Sequence, residues 1–155
     1  MVRDRQTQFI ERSLSEDGID QLLQSQGYGI ISLCDGGQPY SIPVSFGYDS
    51  DCVYFPFLIT SGETTKTDFI DEGTMVRLLV SEVRDLFNWR SVTINDRAQP
   101  VASDDEEWEH FIDVLVDHEW FRQEFERATS IESVQGWKLG VDDCHGMERT
   151  AVTFE

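Results

Sequence analysis

Tyr28-Gly-Ile-Ile-Ser-Leu-Cys34, then Asp35-Gly-Gly-Gln38, then Pro39-Tyr-Ser-Ile-Pro-Val-Ser45 is the stretch that decides the fold. An apolar run meets a reversal whose glycines permit the positive φ of a tight hairpin, and a second alternating run follows. That run reaches Tyr48 through Pro43, and Tyr48-Asp-Ser-Asp51 turns the chain into a third run, Cys52 to Leu58. Three runs joined by short turns read as an antiparallel meander. Upstream, a short helix is expected over residues 19–26, ended by Gly27. Downstream, Glu63 to Glu72 reads as a helix closed by Gly73, and Thr74 to Glu82 returns to strand. In Arg90 to Val101, Val92, Ile94 and Ala98 alternate with Thr93, Asn95 and Arg97, the period of a half-buried strand. Residues 104–127 read as the main helix. Its acidic first turn suits the positive end of the helix dipole, and Trp108, Phe111, Ile112 and Leu115 share a face. Trp120, Phe121 and Phe125 fall slightly out of phase, which leaves a kink or a second short helix open. Gly136 to Val141 is a last strand, and residues 136–155 make a closing strand and tail. The order β-β-β-α-β-β-α-β implies one domain over 1–155, a small antiparallel barrel with helices at its ends.

The 155 residues hold 12 Lys+Arg against 30 Asp+Glu, a formal charge of −18. A protein that tracks nucleic acid needs a cationic face to displace counterions from phosphates, so that class is excluded. With 39% hydrophobic and 12% aromatic residues the chain is too rich in core formers to be a disordered acidic chain. No apolar run approaches the roughly 20 residues that span a bilayer, and no signal-peptide core follows the N-terminus, so a cytoplasmic protein with no membrane partner is expected. Cys34, Cys52 and Cys144 are odd in number and widely spaced, and they read as buried or edge thiols. Only Lys66 and Lys138 are lysines. An acidic, lysine-poor surface of this kind stays hydrated where salt has shrunk the Debye length, so a halophilic origin is expected, with an ordinary acidic protein as the alternative.

The stretch Gly27–Val101 resembles the pyridoxamine 5'-phosphate oxidase-like flavin-binding split barrel. Four pieces in order carry the likeness: Gly37-Gln-Pro-Tyr-Ser-Ile-Pro-Val44, Val53-Tyr-Phe55, Thr64-Thr-Lys66 and Trp89-Arg-Ser-Val-Thr-Ile94. Trp137-Lys-Leu139 and Gly146-Met-Glu-Arg149 weakly resemble the closing strand. The resemblance implies a mainly β, six-stranded antiparallel split barrel with flanking helices, and a homodimer that holds FMN at its interface. It implies ring contacts from Ile42, Pro43, Val44 and Ser45. Phosphate contacts would come from Ser61, Thr64, Thr65 and Lys66, where hydroxyls, a lysine and a helix N-terminus suit an anion. Arg90 and Ser91 would lie near the ring's polar edge or the phosphate, and Trp137 would cover the flavin from the partner subunit.

Plainer roles stand beside these. Thr60 and Glu63 form a capping-box pattern, and Glu63 beside a phosphate is repulsive unless it points away. Pro43 can simply mark an edge strand, Arg90 can make an ion pair between subunits, and Trp137 can be core. Where the oxidase typically has arginine before its phosphate lysine this chain has Thr65. Where the oxidase presents basic residues to the substrate phosphate, this chain has Ile42 and Gly47. A pyridoxamine-phosphate substrate would lack its counter-charges. The expectation is therefore a flavin-dependent oxidoreductase acting on another small molecule, with no catalytic residue identified. The alternatives are a flavin- or haem-binding module without turnover and a reductase using the deazaflavin F420. His110 and His118 are not at i, i+4 spacing and no metal site is expected; His145 is open between a ligand-side group and a tail residue.

Overall fold

A computed structural model describes residues 8–60, 70–117 and 131–152. Among these are ten strands and two helices: β1 (Gln8–Ser13), α1 (Glu16–Ser25), β2 (Tyr28–Asp35), β3 (Gln38–Ser45), β4 (Gly47–Tyr48), β5 (Cys52–Thr60), β6 (Met75–Asp85), β7 (Asn88–Arg97), β8 (Gln99–Val101), α2 (Trp108–Val116), β9 (Ile131–Gly140) and β10 (Cys144–Val152). They form two antiparallel sheets, a six-stranded one in the order β1-β10-β7-β6-β2-β3 and a four-stranded one in the order β4-β5-β9-β8. The fold is the mainly β, antiparallel barrel architecture with flanking helices that the sequence implies.

Two strands of the sequence reading bend from one sheet into the other. The run from Pro39 to Tyr48 divides at Phe46, a fully buried residue whose N–H donates to Gly27. The run from Arg90 to Val101 divides at Ala98, also fully buried, whose N–H donates to Thr74. Between the sheets lies a core of Ile31, Leu33, Val44, Phe55, Phe57, Leu78, Val80, Val92, Ile94 and Leu139, into which α1 presses Leu22 and Leu23. A smaller cluster of Tyr54, Val101, Phe111 and Leu115 binds α2 to the back of the four-stranded sheet.

Several boundaries are corrected. The first helix starts at Glu16, before the expected residue 19, because Ser15 is its N-cap and accepts from the Gly18 N–H at 3.1 Å. The main helix starts at Trp108, after the expected 104, since Asp104–Glu107 form turns in which Asp105 caps the Ala102 N–H. Its expected continuation beyond 117 lies outside the described residues. So does the expected helix 63–72 up to residue 69. Residues 70–72 are not helical; Thr74 accepts from the Asp71 N–H, and Gly73 turns the chain at φ +86°. The expected tail holds β10, and β1, unread in the sequence, pairs along its whole length with it.

Glycine sets how closely α2 approaches. A Cβ on Gly47 would lie 2.6 Å from a Val114 methyl and 2.7 Å from the Val114 carbonyl oxygen, which belongs to the helix backbone and cannot turn aside. Gly47→Ala is therefore expected to cost about 1–3 kcal/mol, the range for overpacking a tight contact. Urea unfolding in molar salt checks this, and an unchanged midpoint would refute the close seat of α2.

Candidate functional site

The residues expected around a flavin ring lie on β3, the outermost strand of the six-stranded sheet. Alternation divides them. Ile42 stands opposite Ile31 and Val44 opposite Gly29, and both belong to the core side. Pro43 stands opposite Ile30 on the outer face, the same face on which the Ser32 and Ser41 hydroxyls meet at 3.0 Å. Ser45 is buried at the corner. A proline within a sheet is tolerated on an edge strand, and among the described residues β3 is the edge of its sheet, so the edge-strand reading of Pro43 holds.

Trp137 on β9 stands opposite Phe55, and two residues earlier Gln135 stands opposite Phe57. The indole is 7% exposed, within the core cluster of its own chain that also holds Val44 and takes in Ile42. Any contact it makes with a ligand is thus through its edge. Among the described residues the Trp137 Nε1 and the Gln135 Oε1 are buried with no hydrogen-bond partner. Leaving such a group unpaired costs roughly 1–3 kcal/mol.

Arg90 and Ser91 point to opposite faces of β7. Ser91 faces outward, between Ser81 and Met147. Arg90 lies in a row of alternating charge across four strands, Arg12, Glu148, Arg90 and Glu82. Its Nη2 is 3.3 Å from the Glu82 carboxylate, and Arg12 Nε donates to Glu148. This is an ion pair within one chain, where the sequence left open one between subunits. In the neighbouring row Arg149 bonds Glu11 through Nε at 2.9 Å and lies over the rings of Phe9 and Trp89. Arg84, Arg90 and Arg149 with Asn88 line a cavity of about 290 Å³ that Glu82 and Glu148 partly neutralise. Ser61, Thr64, Thr65 and Lys66, expected to hold a phosphate, lie outside the described residues, in the segment that follows β5.

The second lysine has a structural partner. Lys138 Nζ donates to both Glu107 oxygens, at 2.7 and 3.0 Å, and the Tyr54 hydroxyl donates to the same carboxylate at 3.0 Å. The Lys138 hydrogen bond holds the Glu107 carboxyl below the usual range, while burial and then the hydrogen bond to Glu107 push the Tyr54 phenol up. Nearby, His110 Nε2 is 2.6 Å from Asp49, whose other oxygen accepts from the N–H groups of Asp51 and Cys52. These ties pin the first turn of α2 to the barrel. Among the described residues no three or more His, Cys, Asp or Glu side chains are placed to hold a metal ion. His145 lies on the outer face of β10, 2.9 Å from Asp143 and largely exposed. Burial raises the thiols of Cys52 and Cys144, whereas Cys34 is exposed, on the end of β2 beyond its pairing with β6.

The family model for pyridoxamine 5'-phosphate oxidase matches residues 15–144. None of the curated proteins matches the chain. Among solved structures, a FAD-binding protein from Mesorhizobium loti superposes with a TM-score of 0.75 at 16% identity, over 92% of this chain and 99% of that one. A FAD and heme binding protein from Mycobacterium smegmatis gives 0.66 at 19% identity, over 90% of this chain and 73% of the other. A flavocytochrome from Azotobacter vinelandii gives 0.60 at 21% identity, over 94% and 72%. At such identities these likenesses speak to the fold.

The Asp49 cluster makes a pH prediction. Burial alone would raise the Asp49 carboxyl, but the His110 hydrogen bond and the N–H groups of Cys52 and Asp51 outweigh it and bring it below its ordinary 3.8. A carboxyl depressed in the folded state stabilises fully above its unfolded pKa and loses that contribution as pH falls through the folded one. Asp49→Asn should therefore lower stability by roughly 1.5–3 kcal/mol at pH 7, the range for a hydrogen bond to a charged group net of water. The deficit should shrink toward zero on acidification below the carboxylate range. Chemical denaturation of both proteins from pH 7 to pH 3 reads it, and a deficit that grows in acid would refute the assignment.

Proposed function

This chain belongs to the pyridoxamine 5'-phosphate oxidase family, and on that premise we propose that it is a flavin-binding protein, FMN being the flavin, with a redox role toward a small molecule other than pyridoxamine phosphate. The observation that carries this reading is the buried indole N–H of Trp137, without a hydrogen-bond partner among the described residues and set in the apolar cluster that also takes in Ile42 and Val44 of the edge strand β3. A flavin ring needs such a place, a mostly apolar slot with few but fixed polar contacts.

In this reading the β3 backbone around Ile42, Pro43, Val44 and Ser45 holds the ring edge, and the Trp137 N–H donates to a ring acceptor. Ser61, Thr64, Thr65 and Lys66 hold the phosphate, the lysine as a point charge. When bound, the flavin supplies the electron transfer, and the chain supplies binding, orientation and exclusion of water. Arg90, tied to Glu82, has a structural role in its own chain, while outward-facing Ser91 is the residue of that pair available to a ligand at the sheet face.

The second copy fits on that face. The outer side of the six-stranded sheet exposes Tyr28, Leu79, Val83 and Met147, with Leu79 37% and Val83 68% exposed. An apolar sheet face of this kind on a chain otherwise covered in carboxylates suits a self-complementary partner. The site then gains Ser91 from the partner.

The protein purified in molar salt should carry a flavin spectrum, and the released cofactor should have the mass of FMN. A Soret band would replace this reading with haem binding. Bound flavin reduced by NAD(P)H and reoxidised by an acceptor makes the protein an enzyme; flavin that stays inert makes it a carrier or sensor. Lys66→Ala should weaken FMN binding by roughly 1.5–3 kcal/mol, the range for a charge-assisted hydrogen bond, and unchanged affinity would remove the phosphate assignment. Sedimentation should give a dimer, and Leu79→Asp should give a folded monomer with little bound flavin; a flavin-loaded monomer would refute the interface site.

A further inference from the structure

The inner face of the six-stranded sheet changes character at one level. On β6 the buried Val76, Leu78 and Val80 are followed on the same side by Glu82, with Arg84 beyond it. On β7 the buried Ile94 and Val92 are preceded by Arg90 and Asn88, and on β10 Gly146, seated against Leu14 and Ile19, is followed by Glu148 and Thr150. These six polar residues line the cavity of about 290 Å³. Trp89 and Arg149 also border it, but their side chains leave by the other face, where the guanidinium lies over the Trp89 ring.

The charges in this cavity do not balance. Arg12 takes up Glu148, which leaves Glu82 to serve two guanidinium groups. Arg90 Nη2 lies 3.3 Å from one Glu82 oxygen, and Arg84 Nε lies 3.6 Å from the other, beyond hydrogen-bond length. Among the described residues neither arginine has another hydrogen bond, whereas Arg149 has Nε, Nη1 and Nη2 all bonded. The Arg90 side chain is only 27% exposed, so the donors that Glu82 leaves unused are only partly hydrated. Three arginines against two glutamates leave one positive charge over, in a chain whose 30 carboxylates could have balanced it many times. A sulfate or phosphate dianion would overshoot that charge and meet Glu82 and Glu148, and a halide would leave most of the volume unfilled. What matches one charge, two guanidinium forks and this volume is a planar carboxylate on a small organic body. We propose that this cavity binds a small organic monocarboxylate, its carboxylate held between Arg84 and Arg90. The site lies on the face opposite Leu79, Val83 and Met147, so it stays open with or without a second copy on that other face, and it does not depend on the flavin reading.

Benzoate is a suitable probe, with benzamide as its uncharged isostere and sulfate as a dianion, all titrated into 15N-labelled protein at constant ionic strength so that screening is the same throughout. Benzoate should shift the side-chain Nε–H resonances of Arg84 and Arg90 together and saturate with one molecule per chain, while benzamide leaves them in place and sulfate binds more weakly than benzoate. Arg84 is 77% exposed, so Arg84→Gln should keep the wild-type Tm. It should weaken benzoate about tenfold, the effect of losing one charge-assisted hydrogen bond. Glu82→Gln should act in the opposite direction, tightening benzoate and narrowing the gap to sulfate, because it removes the carboxylate that competes for both arginines. If Glu82→Gln fails to fold, the Arg84 variant and the benzamide control carry the test alone. Equal binding of benzamide and benzoate, tighter binding of sulfate, an unchanged affinity in Arg84→Gln or no saturable shift in the wild type would each overturn the proposal.

Discussion

The molecule depends on the corner at Phe46. There a single strand leaves one sheet and enters the other, and the fully buried ring fills the angle between them while its backbone N–H is tied to Gly27. A strand that changes sheets can do so only if the residue at the bend satisfies its backbone without a ladder partner and if the next residue makes room for what lies behind. Phe46 and Gly47 meet those two demands. With the corner set, β3 ends the six-stranded sheet and β4 the four-stranded one, and α2 closes the back of the second sheet. The placement of the candidate site follows from this bend before any ligand chemistry is considered.

The class of fold was legible because the inner strands carry their own signal. Met75 to Val80 and Val92 to Ile94 alternate between core and surface, and the glycine pair at 36 and 37 takes the positive φ that a tight reversal needs. The outer strands have no such signal. Every described side chain of β1 is exposed, and β10 reads as a polar tail, because what holds them is a lattice of arginine–carboxylate pairs between partners far apart in the chain. Hydrophobic periodicity cannot report a strand fastened by cross-strand charge. The corners were hidden for a related reason: alternation continues through Phe46 and Ala98, and only the hydrogen bonds to Gly27 and Thr74 show that the partner strands have changed.

Of the candidate residues, Ile42, Val44 and Trp137 were named through the family resemblance, and the fold brings them into one cluster. Gln135, whose Oε1 is buried without a partner among the described residues, was not singled out because the closing strand was read as beginning at Gly136, and a glutamine next to a glycine looks like the end of a loop. The signal that could have found it is that β9 runs from residue 131 to 140, ten residues against the full length of β5, which puts 135 and 137 on one face. The lysines carried less than their rarity suggested. Lys138 is spent on Glu107 at the start of α2, and scarcity alone did not distinguish a ligand contact from a helix anchor.

In a chain of net charge −18, each described arginine of the β1-β10-β7-β6 rows is already committed to a carboxylate or a carbonyl. That arrangement keeps the sheet together where acidic side chains would push its strands apart, and it leaves little cationic surface over. Shape, apolar contact and neutral hydrogen bonds are then the main means of recognition that the described residues offer a ligand. Among the described residues the buried Gln135 Oε1 and Trp137 Nε1 lack a hydrogen-bond partner, a departure from the rule that buried polar groups are satisfied, and such departures are expected where function asks for them.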